Sequence, residues 1–218
     1  MSRPLRHNSL PHRRLVAIGA LAWVILVASS CQKAARERNE IFRAAGNGDL
    51  AKAQILLDRN PNLISSKNSQ GFTALHYAAS YGYKEIAELL IARKSDVNAK
   101  TGTGDTPLHY AAAYGFKDIA ELLLSNGADI NARDNMGRTP LYDAAGSGRL
   151  EEVKLLLGAK AGIDIHTSRG FGALSAAASY GHEEVAPIAS RQRRQRQRSR
   201  SRQWYASVLG SREGLQKH

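Results

Sequence analysis

Two histidines are the side chains best suited to binding a metal ion. His76 and His109 lie 33 residues apart in a chain of 218 residues. Imidazole is a frequent zinc ligand, so the two rings could share a metal if the fold brought them together. Neither histidine has a further histidine or cysteine near it at the spacing of a metal site. We therefore predict no metal site and no cofactor.

The other residue types that support catalysis also lack the sequence context they need. Glu151-Glu152 and Glu183-Glu184 stand at predicted helix starts, where carboxylates interact favourably with the helix dipole. Ser175 is not part of the Gly-x-Ser-x-Gly turn that exposes a nucleophile. Gly102-Thr103-Gly104 is expected to form a turn and not a phosphate-binding loop. The sequence thus predicts that the protein is not an enzyme and has no small-molecule substrate.

Cys31 is the one cysteine of the chain, and it directly follows a segment typical of an export signal. Residues 1–30 hold four arginines and no acid, and the run from Leu15 to Ala28 is almost entirely apolar. This order of charge, apolar run and small residues is that of a signal peptide. The run has about 14 residues, fewer than the ~20 that a membrane-spanning helix needs.

The segment Val27-Ala28-Ser29-Ser30-Cys31 resembles a bacterial lipobox, although Ala28 stands where leucine is usual. The resemblance implies cleavage before Cys31 and acylation of its thiol, with residues 31–38 as a linker. It places the protein in the bacterial cell envelope, lipid-anchored on the periplasmic or outer-membrane side, and Gln32 favours the outer membrane. An uncleaved anchor and an ordinary cleaved signal are the alternatives, and both also place the chain outside the cytoplasm.

The middle of the chain repeats with a period of 33 residues. Four columns hold over four copies: a glycine, a leucine, a pair of alanines and a second glycine. They are Gly71, Gly104, Gly137 and Gly170; Leu75, Leu108, Leu141 and Leu174; Ala78-Ala79, Ala111-Ala112, Ala144-Ala145 and Ala177-Ala178; and Gly82, Gly115, Gly148 and Gly181. Such a register predicts a stack of similar units.

Each copy has the signals of two short helices. Thr106-Pro107 and Thr139-Pro140 place a capping hydroxyl before a proline at the first helical position. Gly82 stands where the first helix must end in a left-handed residue. Apolar residues at helical spacing follow, as in Ile119 and Leu123.

The run Gly104-Asp105-Thr106-Pro107-Leu108-His109, with Ala111-Ala112 after it, resembles the ankyrin repeat. The resemblance implies an all-α solenoid with short finger turns, in which His76 and His109 tie adjacent turns together and bind no metal. Tyr142 and Ser175 depart from the pattern at the histidine position, and Gly172 replaces the capping threonine. The units are a divergent N-terminal cap at 39–67, repeats one to three at 68–100, 101–133 and 134–166, and an incomplete repeat four at 167–186.

Ankyrin stacks generally bind proteins through the finger turns and the exposed side of each first helix. Carried over by column, the partner-binding residues on the fingers are Gln70, Phe72, Thr103, Asp105, Met136, Arg138, Arg169 and Phe171. Those on the helices are Tyr77, Tyr81, Tyr110, Tyr114, Asp143 and Tyr180. Stacking would align Tyr77 with Tyr110 as part of an aromatic ridge that binds a partner. The alternative is that these rings only fill the seam between repeats.

The positive charge of the chain lies at its two ends. The formal net charge is +12, of which residues 1–30 carry +4 and residues 187–218 carry +8, so the middle is neutral. Pro187 interrupts the second helix of repeat four, and an arginine-rich stretch follows. We predict a basic disordered tail over 187–218. Such a tail could bind nucleic acid or anionic lipid, which is the alternative function.

A frameshift is a further explanation of this tail. Codons allowed for residues 204–218, shifted by one nucleotide, encode Gly-Thr-Pro-Leu-Tyr-Leu-Ala-Ala in the same 33-residue register. The same shift across residues 187–199 allows the missing second helix and turn. We hypothesise a one-nucleotide frameshift near codon 186, which would make nucleic-acid binding by this tail an artefact.

These patterns together predict a non-catalytic protein-interaction module. It would be displayed at a bacterial envelope membrane through the lipid on Cys31, and would bind an unidentified partner protein.

Overall fold

A computed structural model describes residues 32–188, 190–191, 194–195, 197–199 and 201–202. These residues form helices and turns, with no strand among them, as the predicted all-α fold requires. Cys31 and the predicted signal peptide lie outside the described residues. The helices are α1 (32–47), α2 (Leu50–Arg59), α3 (Ala74–Tyr81), α4 (Lys84–Ala92), α5 (Pro107–Tyr114), α6 (Lys117–Ser125), α7 (Pro140–Gly146), α8 (Leu150–Gly158) and α9 (Ala173–Ser179), with a 3-10 helix at Pro61–Ser65.

The helices pack in two rows. The first helices of the repeats, α3, α5, α7 and α9, lie side by side as an inner row, and α2, α4, α6 and α8 form an outer row. The alanine pairs of repeats one to three, and Ala177 of repeat four, are buried between neighbouring inner helices, where side chains this small allow close approach. Ala178 is exposed. Leucines and isoleucines such as Leu108 and Ile119 fill the space between the rows. The alternation of small and large apolar residues therefore determines how the helices stack.

A threonine and a histidine together cap the first helix of repeats one and two. The Thr73 hydroxyl accepts a hydrogen bond from the backbone N–H of His76, and the backbone N–H of Thr73 donates to His76 Nδ1 at 3.1 Å. Thr106 and His109 repeat this reciprocal arrangement. Both partners of each pair thereby satisfy donors that a helix start leaves free.

The same histidines connect each repeat to the next. Because Nδ1 of His76 accepts a backbone N–H, the ring proton lies on Nε2, which donates to the carbonyl of Asp105 at 3.1 Å. His109 Nε2 donates to the Arg138 carbonyl at 3.3 Å in the same way. Burial lowers the pKa of His76 to about 4 and also lowers the pKa of His109, so both rings stay neutral. The predicted structural role of the two histidines is confirmed.

The finger turns are joined by hydrogen bonds that recur from repeat to repeat. One backbone N–H in each finger donates to a carbonyl of the preceding finger: Gly102 to Gln70 at 2.7 Å, Asn135 to Thr103 at 3.0 Å and Ser168 to Met136 at 2.9 Å. Basic side chains add a second series in the opposite direction, from Lys67 to the Lys100 carbonyl, from Lys100 to that of Arg133 and from Arg133 to that of His166. The fingers therefore form one continuous surface.

Gly82 must be a glycine for two separate reasons. It ends α3 with φ of +81°, which lies in the left-handed region. The ring of Phe116 from the next repeat also covers it, so that an added Cβ would lie 2.4 Å from the ring. The absence of a side chain thus lets adjacent repeats approach.

The two ends of the described chain differ from the predicted boundaries. Residues 32–38, predicted as a linker, form the first turns of α1. Alanine, arginine and glutamate favour helix, and an Arg36–Glu40 ion pair at 3.2 Å spans one turn. The described residues between 187 and 202 are helical, where the sequence predicted disorder. The helix begins at Val185, so Pro187 lies in its first turn, where proline needs no N–H partner.

This last helical segment continues the pattern of the earlier repeats at its start. Val185 is buried and Ile188 packs against the core, at the positions that Ile86 and Leu89 hold in repeat one. Repeat four therefore has the beginning of a second helix, and residues 203–218 lie outside the described part. None of the described helices combines the length and the apolar character needed to cross a membrane.

Replacing His76 by leucine should reduce stability in a pH-dependent way. The variant leaves the Thr73 N–H without a partner and removes one of the two hydrogen bonds that the Asp105 carbonyl accepts, which costs about 1–3 kcal/mol at pH 7. Because the folded pKa is lowered, the histidine's contribution is complete above about pH 6.5 and is lost as pH falls towards 4. Chemical denaturation at several pH values should therefore show the gap between wild type and H76L narrowing below pH 6.5. The control His166→Leu, at an exposed position, should change little, and an H76L gap that is constant with pH would contradict this account.

Candidate protein-binding surface

We define the inner face as the finger turns together with the exposed sides of α3, α5, α7 and α9, including Tyr180 directly after α9. The predicted partner-binding residues all lie on these elements, but they differ in exposure. Those exposed to solvent are Gln70, Tyr81, Thr103, Tyr114, Met136, Arg169, Phe171 and Tyr180. Those partly buried are Phe72, Tyr77, Tyr110, Arg138 and Asp143. Asp105 is buried.

Aromatic rings form a line across the cap and repeats one and two. Phe42 stacks on Tyr77 with ring centroids 5.8 Å apart, and Phe72 lies between Tyr77 and Tyr110 at 5.7 and 5.3 Å. Tyr110 in turn stacks on Tyr114 at 6.5 Å. Tyr77 and Tyr110 thus belong to one aromatic line on adjacent helices, and the ring of Phe72 contacts both of them.

Some of these tyrosines fill the seam between repeats, and others are exposed where a partner could contact them. Tyr77 is partly buried and its hydroxyl accepts a hydrogen bond from Asn68, so this ring fills the seam. Tyr110 is also partly buried, and burial raises its pKa to about 12. Tyr114 is 51% exposed and Tyr81 is 57% exposed, so these two rings can contact a partner.

Arg138 is surrounded by three carboxylates from two fingers and one helix. Its Nε lies 2.6 Å from Asp134, its Nη2 lies 3.7 Å from Asp105, and its Nε lies 3.9 Å from Asp143. Asp134 also accepts the backbone N–H of Arg138, which fixes the turn that carries the guanidinium. This cluster holds the fingers of repeats two and three against α7.

The exposure that the column position predicts for Asp105 is wrong. The residue is 8% exposed, and its carboxylate accepts a hydrogen bond from the Thr103 hydroxyl at 2.5 Å. The physical reason is that Asp105 lies between two fingers, where Arg138 of the following repeat attracts it. Asp105 therefore acts inside the protein by supporting the finger.

A cavity of about 320 Å³ opens between repeats three and four, and we call it the Tyr180 pocket. Its lining includes five of the predicted residues, Met136, Arg138, Arg169, Phe171 and Tyr180, which the fold brings together here. The other lining residues are Asn135, Tyr142, Thr167, Ser168, Ser175, Ala176 and Ser179. Three of the predicted residues are large, apolar and exposed: Met136 at 53%, Phe171 at 49% and Tyr180 at 68%.

The Tyr180 pocket lies where the histidine connection stops. Repeats one and two bond their histidine to the next finger, whereas repeat three has Tyr142 at that position and repeat four has Ser175. Both substituted side chains line the pocket. Their departure from the repeat pattern was visible in the sequence, and it was the signal that could have identified them.

The comparisons with known proteins agree with this architecture. The profile of the family described as Ankyrin repeats (3 copies) matches residues 21–101, 41–134 and 93–169, which together span more than half of the chain. The chain therefore belongs to the ankyrin-repeat family. Ankyrin repeats are protein-interaction modules, and stacks of this kind offer extended surfaces for binding.

Individual relatives resemble only a part of the chain. The NAD-capped RNA hydrolase NUDT12 of Homo sapiens is 38% identical over 53 residues, which are 24% of this chain and 12% of that protein. The E3 ubiquitin-protein ligase XBAT33 of Arabidopsis thaliana is 41% identical over 59 residues, which are 27% of this chain and 12% of that protein. Since the chain spans only 12% of each relative, the likeness supports the repeats and not the relatives' activities.

Replacing Asp143 by asparagine should stabilise the protein at alkaline pH. Burial raises the pKa of Asp143 to about 7, and the opposing attraction of Arg138 is weak because Arg138 binds Asp134 more closely. The stability that the protonated carboxyl contributes is complete below pH ~4 and is lost as pH rises through 7. D143N should thus exceed wild type by on the order of 2 kcal/mol at pH 8 and match it near pH 4.

Thermal unfolding at both pH values is the measurement, with Glu121→Gln as the control. Glu121 forms only an exposed 3.8 Å ion pair with Lys117, so its replacement should have little effect at either pH. A D143N variant less stable than wild type at pH 8 would show that the ion pair with Arg138 outweighs the cost of burying the charge.

Proposed function

We propose that this protein binds a partner protein through its inner face, at the surface of a bacterial envelope membrane. The observation that carries the proposal is the Tyr180 pocket, where Met136, Phe171 and Tyr180 leave large apolar surfaces exposed around one cavity. Exposed apolar groups clustered in this way are typical of binding sites. Tyrosine is among the residues that contribute most to protein interfaces.

The binding surface extends along the stack from the pocket. Tyr114 and Tyr81 are exposed on α5 and α3, at the repeat position that Tyr180 holds directly after α9. The finger bonds and the partly buried rings hold these side chains on a connected support, which reduces the entropy that a partner must remove on binding. A partner segment that lies along the inner face could contact several repeats at once.

A photo-crosslinking residue at position 180 should capture the partner in the source cells. Benzoyl-phenylalanine replacing Tyr180 or Tyr114 should give a defined crosslinked species in the envelope fraction, because both positions face the proposed partner. Ile55 is the matched control, since it is 51% exposed and apolar but lies on α2 in the outer row. Equal crosslinking at position 55, or none at 180 and 114, would overturn the proposed surface.

The proposed location rests on the sequence around Cys31. An apolar run after four arginines, ending in small residues and one cysteine, is the basis for export and lipid attachment. A lipid of two or more acyl chains would hold the mature protein at the membrane. The alternative attachment is electrostatic: Arg191, Arg194, Arg198 and Arg202 recur at three- and four-residue spacing in the last helical segment.

Replacing Cys31 by serine separates the two modes of attachment. We expect C31S to leave the membrane fraction, and the wild-type mass to correspond to a chain that begins at Cys31 with acyl groups. The control carries glutamine at the four arginines and should remain membrane-bound. If C31S stays on the membrane and the arginine variant is released, the basic segment is the anchor and the lipid proposal is wrong.

A further inference from the structure

The Tyr180 pocket has an unbalanced charge. Its lining contains two arginines, Arg138 and Arg169, and no carboxylate. Arg138 is already bound by Asp134 at 2.6 Å. Arg169 is exposed, and no ion pair or hydrogen bond connects its side chain to the described part of the chain. The positive charge of Arg169 is therefore available to an incoming group.

The polar side chains around the pocket are mostly committed to the protein itself. Asn135 donates to the Gly102 carbonyl, Ser168 donates to the Met136 carbonyl, and Ser175 donates to the Gly172 carbonyl. Thr167 accepts the backbone N–H of Phe171. These bonds shape the pocket wall and leave Arg169 as the charged group that faces solvent beside the apolar rim.

The neighbouring cavity, which is lined by two carboxylates, does not offer a free charge to a partner in the way that the Tyr180 pocket does. This cavity of about 200 Å³ lies between repeats two and three and includes Asp105 and Asp143 in its lining. Both carboxylates face Arg138, and Asp105 also accepts the Thr103 hydroxyl. Both carboxylate side chains are also nearly buried, at 11% and 13% exposure, so this part of the inner face offers little negative charge to a basic partner group.

We propose that the Tyr180 pocket receives a partner segment in which a large apolar or aromatic side chain stands within a few residues of a carboxylate. The apolar side chain enters between Met136, Phe171 and Tyr180, and the carboxylate pairs with Arg169. This inference rests on the proposed function and adds the chemistry of the segment that the inner face selects. Apolar contact supplies most of the affinity, and the ion pair selects an acidic segment over a basic one.

Selection from a phage-displayed library of random twelve-residue peptides on the full-length protein tests this proposal. Wild-type protein should enrich peptides with an aromatic or large aliphatic residue close to aspartate or glutamate. Arg169→Gln should lower the affinity of the enriched peptides for the protein about three- to fivefold, as expected for the loss of an exposed ion pair. Selection on Arg169→Glu should instead favour lysine or arginine beside the apolar residue. Lys154→Gln, which removes a charge from the outer row, should leave the binding unchanged.

A second variant separates failure of this inference from failure of the proposed function. Phe171→Ala should abolish binding of the peptides while its unfolding temperature stays near that of wild type, because the ring is half exposed. Peptides that depend on Phe171 but carry no acidic bias would overturn the charge preference and keep the binding surface. Selected peptides that bind F171A as well as wild type would overturn both proposals.

A second copy of this chain is the other possible occupant of the Tyr180 pocket. Sedimentation of the protein without a partner measures whether it forms a dimer. We expect a monomer whose sedimentation is unchanged by Phe171→Ala. A dimer that F171A dissociates would mean that a second copy of the chain fills the pocket, and the proposed acidic segment would be wrong.

Discussion

The hydrogen bonds between successive fingers support every other feature of the inner face. A backbone N–H of each finger donates to a carbonyl of the finger before it, as Gly102 does to Gln70. The side chains of Lys67, Lys100 and Arg133 donate in the other direction, each to a backbone carbonyl of the next repeat. These bonds require the same residue spacing in every repeat. An insertion in one finger would therefore shift the aromatic rings and the Arg138 cluster out of contact with their partners.

The inner face changes character along the stack because its internal connections change. In repeats one and two, the histidine connections and the rings from Phe42 to Tyr110 make their contacts within the protein. Between repeats two and three, the Arg138 guanidinium lies within 3.9 Å of three carboxylates. Between repeats three and four, no histidine bonds the next finger, and the surface opens into the Tyr180 pocket. The junction that lacks a histidine connection is thus the part of the stack best suited to a partner.

The repeat register made much of the fold predictable from the sequence. The caps at Thr73 and Thr106, the left-handed glycines and the roles of His76 and His109 follow from local residue chemistry that recurs every 33 residues. The first turns of α1 and the helical residues after Pro187 were not predicted. Boundaries there depend on where a helix begins, and a proline tolerated in a first turn looks like a helix breaker from sequence alone.

The surface was less predictable because it depends on contacts between repeats. The column rule identified Met136, Phe171 and Tyr180 correctly as exposed residues. It could not foresee that Phe72 would contact Tyr110 of the next repeat, or that Asp105 would be buried beside Arg138, because each depends on a particular pair of side chains from different repeats. Repetition therefore predicts the position of a residue in the fold, and its neighbours determine whether it is free to bind.

Hydrogen–deuterium exchange of the protein, alone and with the partner captured from the envelope, tests the central claim most directly. The account predicts that the partner slows amide exchange in the fingers at residues 135–138 and 167–171 and in α9, with smaller effects on α5. The outer helices α4, α6 and α8 should exchange at the same rate in both states. Protection confined to the outer helices, or to the arginine-rich segment after Pro187, would contradict binding through the inner face.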